Sequence, residues 1–168
     1  MDERRGDVER FCTEIAPRLV GSLTLYCGDH LLAEELAQEA LARAIERWAR
    51  VGAMDSPEAW TYKTAFNLAR SSFRRGAAER RAQARVSRPP PLPDETDAIA
   101  VRDAVRRLPP RQRQVVIARF YARLDVEETA RMLGCRPGTV KAHTFKALAN
   151  LRAAGWTDDE ESLDDTLA

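Results

Sequence analysis

The 168-residue sequence has few of the residues from which metal and catalytic sites are built. It has two histidines, His30 and His143, and three cysteines, Cys12, Cys27 and Cys135, with no CxxC pair. A structural zinc site needs four ligands, and Cys27 with His30 supplies only two. No Ser/His/Asp set, glycine-rich phosphate loop or pair of carboxylates stands out. We therefore expect buried or half-buried free thiols, no metal, no cofactor and no enzymatic activity.

The sequence also lacks a long apolar run. No segment approaches the roughly 18–20 consecutive apolar residues of a membrane helix, and no apolar signal peptide follows the charged start MDERRGDVER. Hydrophobic residues make up 44% and charged residues 32%, which is ordinary for helical proteins and too apolar for global disorder. These features predict a cytoplasmic protein with one medium-sized domain or two small ones.

Positive charge is concentrated in the body of the chain. The formal net charge is +1, but six of the 26 acidic residues follow the last basic residue, Arg152. Without those six, 27 basic residues stand against 20 acidic ones, an excess of +7. Six arginines also lie between positions 74 and 88 with the single acid Glu79. The body can therefore attract phosphates, and the acidic end opposes that attraction.

Residues 124–152 have the pattern of a helix-turn-helix. A first helix is predicted over 126–133, ended by Gly134, because a residue leaving a helix often adopts positive φ. Pro137 suits the first turn of the second helix, where its missing N–H costs nothing. The predicted inner face consists of Ala130, Leu133, Val140, Thr144, Leu148 and Leu151. The outward side carries Ala142, Phe145 and Lys146, which suits a helix in the major groove of DNA. The alternative is an ordinary helical hairpin with a solvated basic face.

Three helices are predicted in a first block, residues 7–85. They cover about 8–27, 30–51 and either 57–75 or 57–85. Ser56 is the predicted N-cap of the third helix, and Pro57 takes its first helical position. The predicted inner positions of the first two helices are Phe11, Ile15, Leu19, Leu23, Leu32, Leu36, Leu41, Ile45 and Trp48.

A proline-rich linker, residues 86–94, separates this block from a second one, residues 95–155. Four prolines in the linker remove backbone donors and force extended conformations. The second block begins with an apolar-periodic helix up to Leu108, then a helix over 111–121 and the helix-turn-helix. An acidic tail follows at 156–168. No convincing strand or repeat is present, and the fold class is all-α, with two small helical domains.

Taken together, these motifs resemble the extracytoplasmic-function sigma factors of bacteria, group IV of the sigma-70 superfamily, and in particular their actinobacterial sigma-E type. The resemblance covers about residues 11–75 and 101–152. It rests on four segments in family order and spacing: AEELAQEALARA (33–44), WTYKTAFNLARSSFRR (60–75), LPPRQRQVVIARFY (108–121) and LDVEETARMLGCRPGTVKAH (124–143).

The resemblance implies a factor that binds core RNA polymerase and directs promoter-specific initiation, with promoter DNA and an anti-sigma factor as further partners. Residues 7–85 would be the region 2-like domain, which binds polymerase and recognises and melts the minus-ten element. Residues 95–155 would be the region 4-like domain, which recognises the minus-thirty-five element. The polymerase-binding residues implied are Glu35, Leu36, Gln38, Glu39 and Arg43.

The minus-ten site must trap unpaired bases, which requires stacking surfaces and polar groups for base edges. Trp60, Lys63 and Asn67 are spaced three and four apart on one helix face. The implied minus-ten residues are Met54, Asp55, Ser56, Trp60, Lys63, Asn67, Arg70, Arg74 and Arg75. The implied minus-thirty-five residues are Arg136, Thr139, Lys141, Ala142, His143, Phe145 and Lys146. Trp60 could instead be a core anchor, Asn67 an ordinary surface residue, and the charges of the second helix generic i,i+4 pairs.

Some positions depart from the family pattern. Phe66 stands where many members have arginine, and Arg136 stands where serine often caps the recognition helix. Ala142 and His143 replace a common Ser-Arg pair, and Thr144 stands where an aliphatic residue is frequent.

Two other classes of protein compete with this interpretation. A helix-turn-helix regulator of the response-regulator output type has similar motifs, but it would need a phosphoacceptor domain with alternating strands, which the first 85 residues do not show. A protein that only sequesters a partner, as an anti-sigma factor does, would not need the basic recognition helix. Copurification with core polymerase and promoter-dependent transcription would separate the three.

Overall fold

The computed structural model describes residues 2–82 and 96–155, with side chains described for 6–76 and 102–155. All regular structure in these residues is helical, and the all-α class is confirmed. The predicted linker at 86–94 and the acidic tail at 156–168 lie outside the described residues. The helices are α1 (Asp2–Cys27), α2 (His30–Glu46), α3 (Trp48–Val51), α4 (Pro57–Ala82), α5 (Thr96–Arg107), α6 (Pro110–Val116), α7 (Val126–Leu133) and α8 (Pro137–Ala153), with a π-helical segment, π1 (Ile117–Tyr121), continuing α6.

The first block is built around α1, which packs against α2 and α4. The predicted inner positions of α1 are confirmed, and Leu19 and Leu23 are fully buried. The inner stripe of α2 differs from the prediction, because small alanines bring this helix close to its neighbours: the buried residues are Ala33, Leu36, Ala37, Ala40 and Ala44. Ile45, predicted to face inward, is 51% exposed, so that prediction was wrong.

The second predicted helix is interrupted near its end. Arg47 leaves the helical conformation (φ −108°, ψ 16°), so α2 stops at Glu46 and α3 forms a separate short turn. Trp48 then packs its ring 4.9 Å from the ring of Phe11. The prediction of one continuous helix over 30–51 was therefore wrong in its last turn. α4 begins as predicted, because the backbone N–H of Ala59 donates to Ser56 Oγ (3.1 Å) and Pro57 takes the first helical position.

The second block contains the predicted helix-turn-helix. α7 has the predicted bounds, and Gly134 ends it in the left-handed conformation (φ 64°). Val115 of α6, Ala130 of α7 and Val140 of α8 form a small core between these helices. The inner face of α8 holds as predicted at Val140 and Leu151, whereas Thr144 and Leu148 are half-buried.

The two blocks pack against each other in the structure. π1 contacts α1, and α7 contacts α4. Ala122, Leu124 and Met132 of the second block join the same buried cluster as Leu23 and Tyr62 of the first. Residues of the two blocks therefore share one apolar core.

Candidate nucleic-acid and polymerase-binding surfaces

α8 presents a face to solvent that matches the predicted DNA-contacting set. Because Val140, Ala147 and Leu151 are buried, the opposite side of the helix is turned outward. Phe145 is 73% exposed, which is unusual for a large apolar ring and indicates that it is available for binding. The other exposed members are Arg136, Thr139, Lys141, Ala142 and Lys146. His143 is half-buried, at the edge of this face.

The start of α8 has no side-chain cap. Arg136 is the N-cap residue in an extended conformation and makes no capping hydrogen bond, as expected for arginine where serine often stands. Pro137 follows in the first turn. Uncapped N–H groups and an exposed guanidinium at a helix N-terminus favour an anion such as a DNA phosphate.

Hydrogen bonds define both ends of α7. Asp125 and Glu128 form a reciprocal capping box: Glu128 N–H donates to Asp125 Oδ1 (2.7 Å), and Asp125 N–H donates to Glu128 Oε2 (2.8 Å). At the other end, Cys135 N–H donates to the carbonyl of Ala130 (3.0 Å), beyond Gly134. Each bond satisfies a backbone N–H or C=O group at an end of α7 that would otherwise have no partner within the helix. The sequence prediction had the Gly134 signal but did not include the capping box, although Asp-x-x-Glu marks it.

A cavity of about 500 Å³ lies at the N-terminal end of α4. Trp60 is half-buried in its wall, Lys63 is exposed at its edge, and Ser56 is buried. Five of the nine predicted minus-ten residues meet here, together with one residue of α7: the lining consists of Ala53, Met54, Asp55, Ser56, Ala59, Trp60, Lys63 and Arg131. An indole face, small apolar walls and flanking cations can hold a flat anionic group such as a nucleotide.

The other predicted minus-ten residues lie farther along α4 and do not line this cavity. Asn67, Arg70, Arg74 and Arg75 are all exposed. Asn67 is on the surface one turn beyond Lys63, and the three arginines continue the basic surface toward the helix end. The pocket and this basic surface therefore form one path along α4.

Phe66, a departure from the family pattern, belongs to the core. It is 2% exposed, and its ring meets that of Tyr26 edge-on at 4.9 Å. A charged arginine would be costly in this environment. The position therefore contributes packing between α1 and α4 and no direct contact with a ligand.

The predicted polymerase-binding residues of α2 divide into two groups. Glu35, Gln38 and Glu39 are exposed, and Arg43 pairs with Glu39 (Nε to Oε1, 2.7 Å). Leu36 is 6% exposed and packs in the core, so it can support this surface only indirectly. The sequence prediction missed Leu31 and Ile45, which are 77% and 51% exposed on the same helix. With Glu35 and Gln38 they follow a helical repeat, which places them along one exposed face.

The three cysteines, Cys12, Cys27 and Cys135, form no disulfide. All three thiols are free and half-buried, as predicted, and burial raises the pKa of Cys27 to about 12, which keeps it protonated and unreactive. Within 2–82 and 96–155 no group of three or more His, Cys, Asp or Glu side chains could hold a metal ion. In the same residues, no helix combines the length and apolarity needed to cross a membrane.

In the described residues, a basic helix-turn-helix in one block and a pocket with an indole ring and cations beside the other are features that suit a DNA-binding protein. Comparison with known families agrees: residues 11–79 match sigma-70 region 2, and residues 98–151 match sigma-70 region 4. The chain is 33% identical over 128 residues to the RNA polymerase sigma-E factor of Streptomyces coelicolor, covering 74% of this chain and 72% of that protein. A sigma-E factor of Streptomyces antibioticus is similar to the same degree.

Among solved structures, the sigma factor RpoE in a co-crystal with the anti-sigma factor NepR from Bartonella quintana shares the fold. The TM-score is 0.78 at 22% identity, covering 90% of this chain and 98% of that one. The chain belongs to the sigma-70 family of RNA polymerase sigma factors, in its extracytoplasmic-function class. It is a transcription initiation factor.

Proposed function

We propose that the protein binds core RNA polymerase through α2, recognises the minus-thirty-five element with α8 and traps unpaired minus-ten bases at the start of α4. Its domains would be residues 7–85 and 95–155, joined by the linker at 86–94. The observation that carries this proposal is the cavity in which Met54, Asp55, Ser56, Trp60 and Lys63 meet at the start of α4, with Arg131 of α7 in its wall. Because polymerase works in the cytoplasm, we expect the protein to act there. An anti-sigma factor is a further proposed partner.

The minus-ten role follows from the chemistry of the pocket. A base removed from the duplex loses its stacking and pairing, and the Trp60 ring can replace the stacking. Asn67 offers amide groups to base edges, and Lys63 and the arginines of α4 can neutralise the backbone of the single strand. The residues proposed to bind bases and those proposed to bind phosphates all lie at or along α4. They would therefore contact the bases and the backbone of the same DNA strand.

The polymerase-binding role follows from the mixed surface of α2. Exposed Leu31 and Ile45 lie at the two ends of the face, with Glu35, Gln38 and Glu39 between them. Apolar residues supply burial at an interface, whereas charged residues set the orientation and partner choice. This surface is separate from the pocket and from α8, so all three contacts can be made by one molecule.

The proposal is tested by separating polymerase binding from DNA opening. Glu39→Arg should weaken binding to core polymerase, because it reverses a charge on the docking face. Asn67→Ala should leave polymerase binding intact and impair promoter opening, measured by permanganate reactivity of unpaired thymines. Glu14→Arg and Thr13→Ala on the exposed side of α1 are the matched controls. Normal opening by Asn67→Ala at several promoters would refute the minus-ten assignment, and normal polymerase affinity of Glu39→Arg would refute the docking face.

A further inference from the structure

The outward face of α8, which carries Lys141, Phe145 and Lys146, has an acidic segment of the same chain within reach. Six of the 13 residues of the acidic tail, 156–168, are Asp or Glu, and these positions lie outside the described residues. We infer that the acidic tail binds the outward face of α8 when no DNA is bound. The tail and a DNA duplex then compete for the same lysines and the same ring. The inference rests on the proposed role of α8 in DNA binding.

The first observation is the unbalanced charge of this part of the chain. No acidic residue lies between Glu128 and Asp158. Five Lys or Arg residues lie in the same stretch: Arg131, Arg136, Lys141, Lys146 and Arg152. In the part of the chain that the structure describes, neither Lys141 nor Lys146 forms an ion pair with a carboxylate. A row of cations without acidic neighbours attracts an anionic chain, whether its charges are phosphates or carboxylates.

The second observation is the exposed ring between the lysines. Phe145 is 73% exposed, Lys141 lies one helical turn before it, and Lys146 is the next residue. The tail has the complementary pattern, because Leu163 stands between two acidic pairs, 160–161 and 164–165. An apolar side chain flanked by acids can cover the ring while the carboxylates meet the lysines. Charge and apolar pattern therefore favour the same occupant of this face.

The third observation is that the tail is long enough for this contact. Phe145 lies ten residues before Gly155, which is about 15 Å along a helix axis. Leu163 follows Gly155 by eight residues, and eight extended residues span up to about 27 Å. Lys141 is about 21 Å from Gly155, and the ten residues up to Asp165 span up to about 34 Å. Both contacts are therefore within reach of the chain.

The fourth observation is that α8 ends before the acids begin. The helix stops at Ala153, and the N–H of Gly155 donates to the carbonyl of Arg152 (3.0 Å). Gly155 has φ 95°, which turns the backbone out of the helical path. A continued helix would have placed Asp158 about 18 Å beyond Lys146 along the axis. With the helix ended, the short connection gives the tail a high effective concentration at α8.

Zero-length cross-linking tests the contact in the full chain. A carbodiimide joins a lysine amine to a carboxylate that touches it, and the chain has only three lysines, Lys63, Lys141 and Lys146. At about 0.01 M salt, where charges interact over about 30 Å, tail carboxylates should cross-link to Lys141 and Lys146. Lys63 of α4 is also exposed and should not react with the tail, so it is the internal control. The products should have the mass of one chain, and an added DNA duplex should suppress them.

Duplex affinity tests the competition. The probes are labelled random duplexes of about 20 base pairs, because phosphate contacts do not require a known promoter. At about 0.01 M salt, a chain that stops after Gly155 should bind them about fivefold or more tightly than the full chain. At about 0.15 M salt, where the Debye length falls to about 8 Å, the difference should be less than about twofold.

A matched pair of triple variants separates docking from net charge. One variant neutralises three tail acids: Glu160→Gln, Glu161→Gln and Asp164→Asn. The other neutralises three exposed acids of the first block: Asp7→Asn, Glu14→Gln and Glu46→Gln. Both changes raise the net charge by the same amount. Only the tail variant should bind the duplexes about threefold or more tightly than the full chain at about 0.01 M salt.

Several results would overturn the inference. One is tail cross-links to Lys63 in place of α8, and another is the absence of tail cross-links at low salt. Equal duplex affinities of the full and shortened chains at low salt would exclude competition. Equal gains by the two triple variants would show an effect of net charge without docking. An error in the DNA-binding role of α8 is distinguishable, because the tail would still cross-link to Lys141 and Lys146 although Lys146→Ala left duplex affinity unchanged.

Discussion

At the scale of single residues, α8 separates side chains that hold the fold from side chains left for binding. Val140 and Phe145 are five positions apart, yet the first is fully buried and the second is 73% exposed. Lys141 and Lys146 flank the exposed ring. An apolar ring and an ammonium group contribute differently to DNA binding, since the ring can sense the methyl group of thymine and the ammonium group binds phosphate.

Substitutions at Lys146 and at Phe145 should therefore have different effects. Lys146→Ala should weaken binding to all duplexes and reduce the slope of log K against log salt by about one unit. Phe145→Ala should keep the salt slope and lose preference at particular base pairs. Both effects can be measured by fluorescence anisotropy over a salt series, with Arg107→Ala, an exposed cation on α5, as the control for lost charge. If both variants keep wild-type preference and salt slope, the outer face of α8 is not the DNA-reading surface.

At the scale of elements, the best-predicted helices are those whose ends have local chemical signals. α7 was predicted residue for residue, because Gly134 marks its end and an apolar repeat marks its face. α4 begins where Ser56 and Pro57 predict. The interruption at Arg47 has no glycine or proline to signal it, and it depends on Trp48 turning onto Phe11 of another helix. Such long-range packing is not visible in a local pattern.

Dependence on long-range packing also explains the other predictions about the helices that were wrong or missing. The helical spacing of the leucines and Ile45 in α2 predicted that Ile45 faces inward. In the structure, alanines make the close contact of α2 with α1 and α4. The π-helical turn π1 and the left-handed backbone of Arg123 (φ 59°) between it and α7 also lacked a signal, since a non-glycine residue rarely takes that conformation. For the candidate site, sequence identified five lining residues, and the contribution of Arg131 emerged only from the packing of the two blocks.

The turn of the helix-turn-helix gives a quantitative prediction at this scale. Gly134→Ala should lower the free energy of unfolding by about 1 kcal/mol, because alanine is strained at φ 64°. Gly138→Ala should be neutral or stabilising by several tenths of a kcal/mol, because this residue is helical. The pair is well matched, since a Cβ at either position meets nothing within 4 Å. Urea denaturation measures both, and equal effects would show that backbone strain at Gly134 does not matter.

At the scale of the whole molecule, the three proposed binding surfaces lie on separate helices. α2 presents the mixed charged and apolar face, α4 the pocket and its basic continuation, and α8 the exposed ring and cations. The near-neutral total charge conceals this arrangement, because six acidic residues are gathered after Arg152. The order of the surfaces along the chain could be predicted from motifs, but their packing into one core could not, because it joins residues about a hundred positions apart.

The most direct test of promoter recognition by this protein is run-off transcription with core RNA polymerase and fragments of genomic DNA from the source bacterium. We expect core enzyme alone to give no discrete transcripts. Addition of the protein should give transcripts from defined start sites that share sequence elements near minus ten and minus thirty-five. Binding to polymerase without any protein-dependent transcript, or transcription that starts at random positions, would contradict the assignment of this chain as a promoter-recognition subunit.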